Sequence, residues 1–182
     1  MKKISIGIIV SAALLLAAVC ADAFVLGVYG KYEMGQDLYG YASAGGAPVS
    51  GQITTNLVPS NYFSAHLVLG NPKNMFDLGV GLAESGTMPV SLGNIHQYFQ
   101  ITDMFKFYGA GSITYFFNAP SGYTMLNLKT TLIGLEVAFP VVPLTAFVEG
   151  GLRIPLVFGP NSLFAAAAGW DVQAGARFYI LK

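Results

Sequence analysis

Three side chains in one short stretch have the types and spacing for covalent chemistry. Ser64 and His66 stand two residues apart, and Asp77 follows beyond the turn-forming run Asn71-Pro72-Lys73-Asn74. If the segments on either side of that run are extended and antiparallel, Ser64 and His66 share a face, Gly79 falls opposite His66, and Asp77 lies diagonal to it within side-chain reach. A hydroxyl, an imidazole and a carboxylate in that order are the parts of an acyl-transfer triad, in which the imidazole takes the hydroxyl proton and the carboxylate orients the ring. Other chemistries find less support. Two histidines, with the one cysteine, Cys20, in a segment expected to be removed, leave no transition-metal cluster. No helix follows Gly109-Ala110-Gly111, so it is not a nucleotide-binding turn. Zero net charge offers no basic patch to nucleic acid. No cofactor is expected.

Strands are the elements that would position these residues. The pattern is clearest from Leu163 to Leu181, where the even positions Phe164, Ala166, Ala168, Trp170, Val172, Ala174, Ala176, Phe178 and Ile180 are all apolar. The odd positions include Asp171, Gln173, Gly175, Arg177 and Tyr179. Period two gives one apolar and one polar face. Strands of soluble proteins usually have about five or six residues, whereas a tilted strand crossing a bilayer needs roughly nine to eleven; the length points to a membrane barrel. Composition agrees, since the 182-residue chain is 54% hydrophobic and only 10% charged, against about 25% charge in soluble domains. Beyond the N-terminal run, no segment approaches the roughly 20 apolar residues of a spanning helix.

Residues 1–23 read as a processing segment. Lys2 and Lys3 form a basic n-region, Ile4 to Val19 an apolar h-region, and Ala21-Asp22-Ala23 offers small residues where a signal peptidase inspects them. Cleavage after Ala23 makes Phe24 the first residue of a single domain, 24–182, and removes the chain's one thiol. The competing readings are an uncleaved anchor helix, for which the apolar run is short, and a lipoprotein anchored at Cys20, for which Val19 is not the small residue wanted.

The remainder reads as eight strands. The first starts at Phe24, with Leu26 and Val28 on the apolar face and Lys31 on the other; a long loop rich in Gly, Ser, Ala and Tyr then runs from Glu33 to Ser60, strand-like around Ile53 to Leu57. The second and third strands, Asn61 to Gly70 and Met75 to Glu84, turn Phe63, Ala65, Leu67, Leu69, Phe76, Leu78, Val80 and Leu82 outward. Ser64, His66, Val68, Asp77, Gly79 and Gly81 face inward. Ser85 to Ile95 is a loop, Ile95 to Thr102 the fourth strand, and Phe105 to Phe117 the fifth, with Lys106, Ser112 and Thr114 inside. After a loop at Asn118 to Tyr123, the sixth strand, Thr124 to Phe139, cannot keep both Lys129 and Glu136 inside, because their spacing is odd. Either a bulge near Gly134 corrects the parity or Lys129 snorkels to the membrane surface. The seventh strand, Leu144 to Ile154, turns Glu149 and Arg153 inward, Pro155 to Ser162 is the last loop, and the C-terminal strand completes the set.

This parse makes the connections alternate between short turns and longer loops, as in transmembrane barrels. All nine prolines fall in loops, turns or strand ends, where no ladder hydrogen bond is lost. Phe24, Phe76, Phe105, Phe139 and Phe178 gather outward at one edge as an interfacial girdle. Seven charges face inward: Lys31, Asp77, Lys106, Glu149, Arg153, Asp171 and Arg177. An eight-stranded barrel is just wide enough for side chains to fill, and buried charges of both signs should pair. The reading is a lumen charge network that plugs the barrel, in preference to an ion path.

The end of the last strand, with Gln173, Gly175, Phe178 and Ile180 in the key positions, resembles the C-terminal β-signal of bacterial outer-membrane proteins, although the chain ends in Leu181-Lys182 and not on an aromatic. Residues 24–182 are similar to the small eight-stranded outer-membrane barrels, the OmpA-domain, OmpX, OmpW and opacity-protein group. The resemblance implies an all-β, up-and-down antiparallel transmembrane barrel in a Gram-negative-type outer membrane, surrounded by outer-membrane lipid, inserted by the barrel assembly machinery, with both termini periplasmic. It further implies a structural or surface-interaction role, adhesion-like, in which loops such as Glu33 to Ser60 contact host or matrix ligands. OmpW-like passage of small hydrophobic molecules is the alternative; a hydrophobic funnel near the loops would favour it, and a continuous charged plug would favour interaction. Some small barrels deacylate or acylate lipid A, but their His-x-Ser pattern is not found here, and Ser64 would face the lumen, away from lipid acyl chains. No enzymatic activity is therefore expected, and no residue is assigned a catalytic, cofactor or metal role.

Overall fold

The computed structural model describes residues 25–45, 47–48 and 58–181. The expected signal segment with Cys20, the expected start at Phe24 and the stretch Ile53 to Leu57 lie outside the described residues. The strands are β1 (Val25–Ala44), the two-residue β2 (Ala47–Pro48), β3 (Tyr62–Asn71), β4 (Asn74–Ala83), β5 (Met88–Gln100), β6 (Phe105–Phe117), β7 (Thr124–Ala138), β8 (Leu144–Gly159) and β9 (Leu163–Leu181). Each pairs antiparallel with its neighbour in the order β2-β1-β3-β4-β5-β6-β7-β8-β9, and β1 also pairs with β9. Apart from β2, eight strands thus form a closed up-and-down ring with no free edge along the paired length. Following paired residues round the ring from Gly30 leads through Ala65, Val80, Val90, Tyr115, Leu126, Leu156 and Ala166 and back to β1 at Tyr41. That climb is the strand tilt that closure requires.

Local sequence fixes the turns. At the end carrying the short turns, here the lower end, Asn71 Oδ1 accepts hydrogen bonds from the backbone N–H of Lys73 (3.0 Å) and Asn74 (2.8 Å), which closes the β3–β4 hairpin around Pro72. At the upper end, Asn161 and Ser162 both have positive φ and Leu163 N–H donates to Pro160 O at 3.1 Å. That is the mirror-image turn whose twist suits a hairpin.

The strand walls are unequal. β1 has 20 residues, β9 has 19 and β8 has 16, whereas β3 and β4 have 10 each, so the barrel is tall on one side and low on the other. Three boundaries expected from the sequence are corrected by this. β1 does not give way to a loop at Glu33; from Met34 to Ser43 it pairs Val172 to Phe164, because a 19-residue β9 in a closed ring needs a neighbour of matching length. β5 begins at Met88, well before Ile95, and β8 runs on to Gly159. Two prolines therefore sit inside these lengthened strands. Pro89 is the second residue of β5, and Pro155 lies within β8, where the β8–β9 register passes from Arg153↔Gly169 to Leu156↔Ala166. Loss of pairing there follows from the missing proline N–H. Lengthened strands also shorten two upper connections, to residues 84–87 and 160–162, while the third, 118–123, has the expected bounds. All three are about as short as the lower connections 72–73, 101–104 and 139–143, so the expected alternation of short and long connections does not hold round the ring.

The parity problem in β7 is solved by a bulge. Register with β8 shifts between Thr131 and Ile133, and Leu132 and Ile133 both face outward, 52% and 65% exposed. Lys129 and Glu136 are consequently both buried inside, and Lys129 does not snorkel.

Large apolar side chains face outward on all eight long strands, among them Val28, Phe63, Leu78, Leu92, Ile113, Ile133, Val148, Leu152 and Ile180. Phe76, Phe105, Phe139 and Phe178 point out near the lower rim; Phe24 lies outside the described residues. Toward the upper end, Tyr32 packs on Phe63 and Tyr115 on Phe117, with ring centroids 4.6 and 4.7 Å apart. Inside, two apolar clusters bracket a polar layer. The lower one contains Val25, Tyr29, Val68, Met75, Ile95, Tyr108, Phe147 and Tyr179; the upper one contains Ala42, Val58, Tyr62, Ala83, Phe116, Met125, Val157 and Ala165.

Candidate functional site

The polar layer of the lumen is assembled from inward positions two apart on adjacent strands, as the pleat dictates. Two residues apart on β3, Ser64 and His66 share the inner face; β4 supplies Asp77, and the register sets Gly79 opposite His66. His66 Nδ1 lies 2.9 Å from Asp77 Oδ1, and His66 Nε2 lies 2.9 Å from Ser64 Oγ. An ionised carboxylate can only accept, so Nδ1–H donates to Asp77, and Nε2 is left to accept the Ser64 hydroxyl proton when the ring is neutral. Tyr29 O–H donates to the other Asp77 oxygen at 2.7 Å and stacks on the His66 ring at 4.4 Å. The order of groups is that of an acyl-transfer triad. The cavity beside Asp77 measures about 10 Å³, room for a single water. In this setting the three residues brace β3 to β4.

A second cluster joins β1, β3, β7 and β9. Lys31 Nζ donates to Gln173 Oε1 at 2.7 Å and stands 3.5 Å from Glu33. Lys129 pairs with the same Glu33 carboxylate and donates to Tyr62 O–H at 2.6 Å. Gln173 passes the connection on to Asp171 through its side-chain amide. Glu149 accepts from Tyr108 O–H (2.7 Å) and Thr131 O–H (3.0 Å), which links β8 to β6 and β7. Near the upper end Arg153 Nε is 3.1 Å from Asp37 Oδ1. At the lower end Arg177 pairs with Glu136, and Tyr179 O–H donates to the same carboxylate. The Arg177 guanidinium carbon lies 4.8, 4.7 and 5.5 Å from the ring centres of Tyr29, Phe147 and Tyr108, an aromatic box that favours a cation.

Of the seven charges assigned to the lumen from sequence, Lys31, Asp77, Glu149, Arg153, Asp171 and Arg177 are buried, and Lys106 is half-buried near the lower rim. Glu149 and Arg153, four apart on β8, take different partners. Four charges were missed: Glu33 and Asp37, because β1 was ended too early, and Lys129 and Glu136, because the bulge position was open. The odd spacing of Lys129 and Glu136 was the signal available for the second pair. For the first, it was the length of the last strand. Among the assembly-signal positions, Gln173 faces the lumen, Gly175 packs closely on the backbone of Gly30, and Phe178 and Ile180 face outward. Among the described residues no group of three or more His, Cys, Asp or Glu side chains is placed to hold a metal ion.

Strand order, closure on β1, an outward apolar belt and an inward polar layer define the class: this is an eight-stranded antiparallel transmembrane β-barrel. No protein-family model matches the chain, and no curated protein matches it. Solved structures similar to it include a de novo designed transmembrane β-barrel, at 13% identity and a TM-score of 0.46, covering 86% of this chain and 95% of that one. Another is Neisserial surface protein A (NspA), at 13% identity and a TM-score of 0.37, covering 85% of this chain and 96% of that one.

Proposed function

We propose that this chain is an outer-membrane protein that acts from the cell exterior through its upper rim, in a structural or surface-interaction role, with both termini in the periplasm and the lumen closed to solutes. The observation that carries this reading is the filled lumen: apolar clusters above and below a cross-bonded polar layer, with Phe116 and Met125 at 0% exposure in the upper one. Among the described residues such packing leaves no room for the wide water column of barrels of 16 to 18 strands. The upper rim also carries exposed Leu38 and Tyr39, 71% and 75% accessible, on the tall wall. Binding of host or matrix ligands there would use aromatic and aliphatic contacts more than charge. Outer-membrane lipid surrounds the belt, and the barrel assembly machinery is the partner that inserts it.

Planar-bilayer recordings of the refolded protein test the closed lumen: the expected result is no large, stable conductance, and a porin-like step would overturn it. Adhesion of cells displaying the chain to matrix-coated surfaces tests the rim. Leu38→Asp with Tyr39→Ser should lower it without changing the amount at the surface. The apolar lining of the upper lumen favours a second reading, passage of small hydrophobic molecules, which predicts faster uptake of a hydrophobic dye by cells carrying the protein.

A further inference from the structure

We propose that the lower turn from Phe139 to Leu144 is buried at the headgroup–acyl boundary of the bilayer, and that the barrel is seated at a tilt, deeper along β7, β8 and β9 than along β4 and β5. The turn reads Phe-Pro-Val-Val-Pro-Leu and carries no charge. Val141 at its tip is 93% exposed, and Val142 beside it 48%, apolar surface that gains by leaving water. A water-poor boundary also demands that backbone polar groups be met within the chain. Here Pro140 and Pro143 have no N–H to satisfy, Phe139 N–H donates to Leu144 O at 3.0 Å, and Val142 N–H donates to Phe139 O at 3.4 Å. Pro143 O accepts from Tyr179 N–H at 2.8 Å. Within 139–143 these bonds leave a single donor, Val141 N–H, for a headgroup.

The rim is polar on the other side. β5 turns Asn94, His96 and Tyr98 outward, His96 bonds the Asn74 side chain, and the β3–β4 turn exposes Lys73. On β8 from Leu144 to Phe158, and on β9 from Phe164 to Ile180, every outward position is apolar or glycine. Phe105, Phe139 and Phe178, the outward rings at that part of the rim, have no polar tip to hold them among headgroups as Tyr and Trp do. The β5–β6 turn is intermediate: Ile101 and Met104 are exposed, Asp103 accepts from Gln100 Nε2 at 3.2 Å, and Ala138 N–H donates to Met104 O at 2.7 Å, which ties this turn to β7. Polar outward groups thus begin higher on β5 than on β8, and one flat membrane surface meets both only if the barrel leans toward β8. Lipid is the occupant because Val141 and Val142 continue the outward apolar belt without a break. Burial of this turn follows from the barrel class and these residues, whatever the upper rim binds.

The test uses the refolded full chain in phosphatidylcholine nanodiscs, with NMR signals broadened by two paramagnets: a lipid carrying a nitroxide just below its headgroup, and a water-soluble gadolinium chelate. The expected result is that the Val141 and Val142 methyl signals broaden several-fold more with the nitroxide lipid than with the chelate, whereas the amide signals of Lys73 and His96 do the reverse. Val141→Asp with Val142→Asp changes no strand residue and should make the turn respond to the chelate, with a smaller response at His96 as the barrel levels. Wild-type valines that respond to the chelate as strongly as Lys73 does would overturn the proposal, and a protein that covers them in cells would give this result, since the nanodisc holds none. Val141 and His96 at the same depth would overturn the tilt.

Discussion

Gly79 lies directly opposite His66 across β3 and β4, and a Cβ placed on it would collide with the imidazole ring and with Ser91 Oγ. The glycine is therefore the space that His66 occupies when it reaches Asp77 and Ser64. Gly79→Ala should displace the ring and destabilise the barrel by roughly 1–3 kcal/mol through overpacking, with more if Asp77 loses its donor. Urea titration of the protein folded in detergent micelles measures this. Adding His66→Ala to the alanine variant should recover part of the loss, since neighbouring substitutions that relieve one clash are not additive. Strict additivity would show that the ring does not depend on Gly79.

Removing an acid from the lumen should not have the same effect everywhere. Glu136→Gln strips the carboxylate from a fully buried Arg177 and should cost roughly 3–5 kcal/mol. Glu149→Gln replaces an acceptor whose partners are the hydroxyls of Tyr108 and Thr131; the amide oxygen can still accept, so the loss should be about 1 kcal/mol. Sequence parity sets Glu149 and Arg153 on one face, and if those two paired with each other, Glu149→Gln would be the severe change. Comparing the two unfolding curves separates the accounts, and equal losses would sink the assignment of partners made from the structure.

What the sequence made legible was periodicity, and what it hid was length. Even and odd positions from Phe164 to Ile180 fixed both faces of β9, and the Asn71 to Asn74 turn fixed a register that set Gly79 against His66. Strand ends were misjudged wherever Gly, Pro or polar residues stood within a strand, as at Met34 to Ala44, at Pro89 and at Pro155. In a closed ring those residues are carried by pairing with a long neighbour, an effect of the partner strand and not of local composition. Glu33 and Asp37 were left out through the end of β1, and Lys129 and Glu136 through the open position of the bulge in β7. Their partners were beyond reach for a different reason, because which cation meets which acid depends on tilt and side-chain length across several strands.

Assembly should depend on the outward apolar positions at the chain's end. Phe178 and Ile180 are 44% and 53% exposed on the outer face of β9, and they are also the apolar positions of the segment that resembles a β-signal. Replacing both with polar residues should prevent insertion, so that the protein accumulates in the periplasm and is degraded. Gel migration of heated and unheated outer-membrane extracts reports the folded barrel; an unchanged shift between the two would remove the signal role.

Processing is expected after Ala23. N-terminal sequencing or intact mass of membrane-extracted protein should give Phe24 as the first residue, with no thiol. A mature form that keeps Cys20, with or without lipid attached, would exclude this cleavage.

Deleting Leu132 should be far more damaging than truncating it. Leu132 and Ile133 both face outward where the β7–β8 register shifts, and this extra residue lets Lys129 and Glu136 share the inner face despite their odd spacing. With a period of two, removing one residue forces every side chain on one flank of the bulge to the opposite face. If the flank before it turns, Lys129 moves into lipid and Glu33 keeps only Lys31; if the flank after it turns, Glu136 moves out and Arg177 is left without its carboxylate. Either result exposes or strands a charge at roughly 3–5 kcal/mol, a large share of the 5–15 kcal/mol that typically holds a domain together. Leu132→Ala keeps the residue count and loses only an outward side chain, so its cost should be about 1 kcal/mol. The deletion variant should therefore fail to give the compact, heat-modifiable band that Leu132→Ala retains. A deletion variant that folds with normal yield would mean that β7 can restore its parity at another position, and that the bulge is not what holds both charges inside.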